Sequence, residues 1–280
     1  MTDKLRTLID KHKTNFSVIM TFYVLLEDFK QYITKNKKYD GLLSRDVRTR
    51  YNIKAQEYRK KDFANSYIQR HTKTNDLFIE NNSLYKIRPE LLKGILEIEA
   101  VDILFKIKSN LESYINERME VVESIEDVKK KQLPENELRS KLEYFMKKKG
   151  FNKGQLFEII SFAILHEYFK SFGFSLNRFS TTFSNDGGID FIAQDCVYQV
   201  TYSPTTKKLE SDLDKLPEIK RVMVLPTLSF RNQSLLSESD LVHGVITTND
   251  LLDHFLPRLH KMNLSNQMFD TIIFELKREM

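Results

Sequence analysis

The sequence is poor in the residues that build several common kinds of site. It has one cysteine, Cys196, in 280 residues, which excludes an intrachain disulfide and a cysteine zinc site. Of its six histidines, His243, His254 and His260 show no metal-ligand spacing, and His166 falls on an apolar helix where a satisfied structural histidine is expected. No apolar run approaches the ~18–20 residues that span a bilayer, so no membrane partner is expected. The opening segment MTDKLRTLIDKHK lacks the apolar core of a secretory signal. With one cysteine, this sets the expectation of a reducing, cytoplasmic location. There is no internal repeat and no low-complexity tract.

What is present fits a folded chain. Hydrophobic residues make up 41% and charged residues 30%, a balance of globular rather than disordered proteins. At 280 residues the chain can bury a sizeable core, and two domains are expected. Charge is uneven. Residues 1–150 hold 31 Lys and Arg against 23 Asp and Glu, whereas residues 151–280 hold 13 against 16. The excess concentrates between Lys30 and Lys73, where 13 basic residues face 4 acidic ones. Such a patch attracts a polyanion, and double-stranded DNA is the expected partner; a solvated face is the plainer alternative.

Periodicity gives the order of elements. Phe16, Ile19, Met20, Tyr23, Val24 and Phe29 recur at helical spacing between Phe16 and Thr34. In GLLSRDVRTRYNI, Ser44 can cap a helix with Val47 and Tyr51 inward, leaving Arg45, Arg48 and Arg50 for solvent or a ligand. A further helix is expected over Glu57–His71, adding Arg59, Lys60 and Lys61 to Lys54 as candidate DNA contacts. NDLFIENNSLYKIRP reads as a β-hairpin turning at Asn81-Asn82. Helix, basic helix, helix and hairpin is the order of a winged helix-turn-helix. A long helix follows from Leu91 to Met119, and the charged stretch VESIEDVKKKQLPENE, with Pro134, reads as a connector. The expected domains are residues 1–133, helical and DNA-recognising, and residues 134–280, with an α/β sheet covered by helices.

The second half carries the chemistry. After a helix over Glu135–Lys149, Asn152 can cap a buried helix that ends at Gly173. Strands are expected near Ser175–Phe179, Ile189–Ala193, Val197–Tyr202 and Arg221–Leu225, and HGVITTNDLLDHFL reads as a strand entering a capped helix. Asp190 follows Gly187 and Gly188, which let a ligand or backbone approach, while Asp186 beside them reads as part of a turn. Across the turn Gln194-Asp195-Cys196, Asp190 can neighbour Gln199. Period-2 geometry puts Val197, Gln199 and Thr201 on one face and Tyr198, Val200 and Tyr202 on the other. Glu158 falls in the middle of the buried helix, where an isolated carboxylate costs several kcal/mol unless compensated. A divalent cation shared with Asp190 is one solution, and oxygen ligands favour Mg2+ or Mn2+ over zinc.

The series GQLFE on a helix, GFS before a strand, then DGGID and QVTY resembles the Mrr-like branch of the PD-(D/E)xK nucleases, the superfamily of most restriction endonucleases. The resemblance covers about a quarter of the chain, Gly154 to Leu225. It implies a restriction-endonuclease-like sheet flanked by helices, with Asp190 as the metal-binding aspartate. Gln199 would replace the second acidic ligand, and Glu158 would complete the metal set. One departure stands out: the family lysine two residues after Gln199 is Thr201 here. Three readings follow. Lys207 or Lys208 reaches in, the metal alone generates hydroxide, or the site is inactive. The expected function is a Mg2+-dependent, site-specific DNA endonuclease of type II restriction character, acting as a homodimer. The alternative is a non-catalytic DNA-binding protein that keeps a degenerate nuclease fold.

Overall fold

The computed structural model describes residues 2–13, 15–35, 38–58, 75–148, 154–179, 189–193, 196–214 and 218–279. The chain divides into two compact units, Met1–Glu120 with Lys277–Met280, and Val121–Leu276.

The first unit begins with α1 (Thr2–His12) and α2 (Phe16–Thr34). The Asn15 side chain caps α2 by accepting from the Val18 N–H at 3.1 Å. α2 buries Phe16, Ile19, Met20, Phe22, Val24 and Leu25 in a core shared with Leu5 and Ile9 of α1. A two-residue strand, β1 (Leu42–Leu43), leads into α3 (Ser44–Tyr58). Val47 and Tyr51 of α3 are fully buried, as their spacing requires. The hairpin forms from β2 (Phe78–Asn81) and β3 (Leu84–Ile87), and its turn falls at Asn82 and Ser83, both at positive φ, one residue beyond the expected pair. β1 pairs antiparallel with β3, giving the order β1-β3-β2. That close pairing needs a glycine before β1: Gly41 has φ +91°, and a Cβ there would lie 2.4 Å from the Tyr85 carbonyl oxygen. A short turn, α4 (Pro89–Leu92), then precedes α5 (Glu97–Lys131), within which the division of the chain falls. The stretch expected as a connector is thus helical as far as Lys131. Val121, Val122, Ile125 and Val128 are buried at helical spacing, and Pro134 acts only as the cap of the next helix.

In the second unit α6 (Glu135–Lys147) and α7 (Gln155–Lys170) precede the strands β4 (Asn177–Arg178), β5 (Phe191–Ala193) and β6 (Cys196–Val200). Helix α8 (Thr206–Asp214) then leads to β7 (Arg221–Leu225), and α9 (Phe230–Ser237) to β8 (Val242–Thr247). The sheet runs β4-β5-β6-β7-β8. β4, β5 and β6 are antiparallel in sequence, while β6, β7 and β8 are parallel. Parallel neighbours need crossovers, and α8 and α9 supply them. At the end of β8, Thr247 and Asp250 form a reciprocal capping box that starts α10 (Thr248–Asp250). A π turn over Leu251–Phe255 continues it into α11 (Leu256–Lys261), and α12 (Ser265–Glu279) ends the chain. One face of the sheet packs on α7, through ring contacts of Phe162 with Phe191 at 5.3 Å and Phe169 with Tyr198 at 6.1 Å. The other is closed by Leu209 and Leu213 of α8 and Leu236 of α9 over Met223 and Leu225. The result is a mixed sheet with helices on both faces.

Candidate functional site

Asp190 stands immediately before β5 and is bound to β6 twice. Its backbone N–H donates to the Tyr198 carbonyl at 3.0 Å, and its carboxylate Oδ2 accepts from the Val200 N–H at 2.7 Å. Tyr198 and Val200 flank Gln199, so the hairpin does bring Asp190 beside Gln199. Asp186, Gly187, Gly188, Gln194 and Asp195 lie outside the described residues, as do Asn152 and Gly150.

Register decides which face each candidate occupies. Arg178, Phe191 and Tyr198 are successive partners across β4, β5 and β6, so their side chains share the face under α7. Alternation puts Gln199 and Thr201 on the opposite face, under α8. Both are almost fully buried, at 3% and 4% exposure. The Gln199 Oε1 accepts from Arg221 Nη1 at 2.9 Å. The same Nη1 donates to the Asp212 carbonyl at 2.9 Å, while Nε and Nη2 donate to the Ile219 carbonyl at 3.2 and 3.0 Å. Burial of this guanidinium lowers its pKa. The Thr201 hydroxyl donates to Asp212 Oδ2 at 3.1 Å, and Asp212 Oδ1 binds the Lys208 ammonium one helical turn earlier on α8. Lys207 is exposed beside it.

Glu158 sits on the α7 face with a different set of partners. Its Oε1 accepts from Arg178 Nε at 2.9 Å, and Nη2 lies 2.7 Å from the same oxygen. Arg178 Nη1 reaches Glu275 Oε2 at 2.7 Å. A fully buried guanidinium between two buried carboxylates supplies the compensation that Glu158 needs. The helix bearing Glu158 approaches β6 through Gly154, its cap, at φ +97°. A Cβ there would come within 2.7 Å of the Tyr202 Cβ.

The three expected ligands therefore do not converge. Glu158 lies across the sheet from Gln199, and each accepts from a buried arginine. A divalent cation on those oxygens would sit beside a guanidinium, an unfavourable like-charge contact in a low-dielectric interior. Asp190 is half-buried, and its Oδ2 accepts from a backbone N–H. As they stand, Glu158, Asp190 and Gln199 do not fit a shared Mg2+ or Mn2+.

Among the described residues of the first unit, the basic candidates divide between exposed and paired side chains. On α3 the Arg45 side chain is 84% exposed, 3.7 Å from Asp46, and Arg48 is also exposed. Arg50 instead donates to Asp28 Oδ1 at 2.8 Å. Asp28 is buried on α2, and that burial raises its pKa against the opposing pull of Arg50. Lys54 lies 3.4 Å from Glu57 and 3.8 Å from Glu27. Arg59, Lys60 and Lys61, with most of the helix expected over Glu57–His71, lie outside the described residues. His166 has the structural role expected of it, with Nδ1 2.9 Å from the Leu176 carbonyl.

Sequence reasoning passed over Arg178, Arg221, Asp212 and Glu275. Asp212 had a signal: it falls three residues after Leu209 and one before Leu213, on the inner face of α8. Arg221 opens the apolar run RVMVL, where a charge reads as a strand end. No protein-family model matches this chain, and neither a curated protein nor a solved structure matches it significantly.

Proposed function

We propose that the chain is an endonuclease acting on double-stranded DNA. The observation that carries this reading is the β5–β6 hairpin, which clamps Asp190 to the two residues flanking Gln199. Beside it, Lys208 is tied through Asp212 to Thr201, the position that lacks the expected lysine. Asp190 supplies a carboxylate at the reacting end of the sheet. Lys208 supplies positive charge for the oxygens of the phosphate as water attacks phosphorus, one P–O ester bond breaks, and the proton lost by the water is balanced by one gained on the departing sugar oxygen. The strand-linked α3, with Arg45 and Arg48 outward, supports a winged helix-turn-helix reading in which the first unit holds the DNA backbone. Two strands need two cutting sites, so the proposal includes a homodimer. Any Mg2+ that cleavage needs would be held by Asp190 without Glu158 and Gln199, and the EDTA arm below tests that need.

Incubation with unmethylated and methylated plasmid, in Mg2+ and then in EDTA, tests this reading. Discrete fragments in Mg2+ that disappear in EDTA are expected. The engagement of Glu158 and Gln199 by arginines favours a second reading, a DNA-binding protein without activity. That reading predicts a gel shift with uncut DNA in every condition.

A further inference from the structure

We propose that Asp212 is a positioning residue that places the Lys208 ammonium at Thr201, restoring to β6 the charge its sequence lacks. This role rests on the nuclease reading above. Asp212 is 1% exposed, and its carboxylate bridges two elements: Oδ2 takes the Thr201 hydroxyl of the sheet, and Oδ1 takes the Lys208 ammonium of α8. Its own carbonyl accepts from Arg221, which in turn holds Gln199. One aspartate thus joins the strand carrying Gln199 to the helix carrying the cation. The Lys208 side chain is about half exposed, so its ammonium reaches solvent, and a phosphate, while one side stays fixed by Asp212. An ordinary helical pair four residues apart has both ends in water and is worth little. Here the acidic end is buried and bonded to a strand, which fixes where the lysine stands.

The test is single-turnover cleavage of plasmid by the full chain, with DNA affinity measured separately by gel shift. Asp212→Asn and Lys208→Ala should each slow cleavage by roughly 10²-fold, the usual cost of one charge-stabilising group, with DNA affinity nearly unchanged. The double variant should be no slower than either single one, because both remove the same positioned charge. Thr201→Lys should rescue both by returning a lysine directly to the strand. Melting curves show which variants fold, and Lys208→Ala alters an exposed side chain, so it keeps the test available if Asp212→Asn melts early. Full rates in Lys208→Ala, multiplicative losses in the double variant, or no rescue by Thr201→Lys would each overturn the role while leaving the nuclease reading intact. Absence of cleavage by the wild-type chain would remove both.

Discussion

Gln199, Arg221 and Asp212 illustrate how single residues divide structural from chemical duty. Gln199 accepts from a guanidinium that is wholly buried, so truncating it strands a charged donor. Gln199→Ala is expected to cost about 1–3 kcal/mol in urea unfolding, the penalty of an unsatisfied buried donor. Asp190→Ala should instead spare stability by comparison, since a half-buried side chain is removed, and should abolish cleavage with DNA binding retained. Cleavage at the wild-type rate by Asp190→Ala would remove Asp190 from the site. Gly154 offers a third case. Alanine there must adopt φ +97° and meet Tyr202 at 2.7 Å, so a loss of about 1–3 kcal/mol is predicted from strain alone. An unchanged melting temperature for Gly154→Ala would show that α7 can shift away from β6.

At the scale of elements, the three arginines of α3 behave differently. Arg45 and Arg48 are exposed, so replacing both by Ala should leave stability within ~0.5 kcal/mol and flatten the salt dependence of DNA binding. Each lost phosphate contact should reduce the slope of log K against log salt by ~0.9. Arg50→Ala should lower stability instead, because it uncovers the buried Asp28 carboxylate. A salt slope that is unchanged after Arg45→Ala and Arg48→Ala would place the DNA elsewhere. The elements themselves were largely legible. α2 and α3 showed through apolar spacing, the hairpin through its turn residues, and the entry to α10 through the strand-then-capped-helix pattern of HGVITTNDLLDHFL. The second half of α5 was misread because charges and Pro134 outweighed the buried series Val121, Ile125 and Val128. The polar partners were not legible for a different reason. Arg178 and Glu275 are 97 residues apart, and Arg221 and Gln199 are 22 apart, so nothing local marks either pair. A buried glutamate calls for a cation, but its sequence cannot say whether arginine or metal provides it.

For the whole molecule, three of the candidate polar groups meet at one strand of the mixed sheet, β6. Asp190 bonds to the backbone of β6, Gln199 projects from it, and Thr201 lies just beyond its end. A segment devoted only to packing would hold apolar residues at the buried positions of Gln199 and Thr201, since each buried polar group needs a partner or costs stability. Here partners are present for all three, and one of them carries a lysine to the surface. That arrangement is what supports the proposal of phosphodiester chemistry in the second unit. The most direct test compares wild-type chain and Asp190→Ala on supercoiled plasmid, in Mg2+ and in EDTA, with a gel shift run beside each reaction. The prediction is that the wild-type chain converts plasmid to defined fragments in Mg2+ only. Asp190→Ala should leave the plasmid supercoiled yet shift it equally. Uncut plasmid with the wild-type chain on both methylated and unmethylated DNA, or equal cutting by Asp190→Ala, would contradict the account.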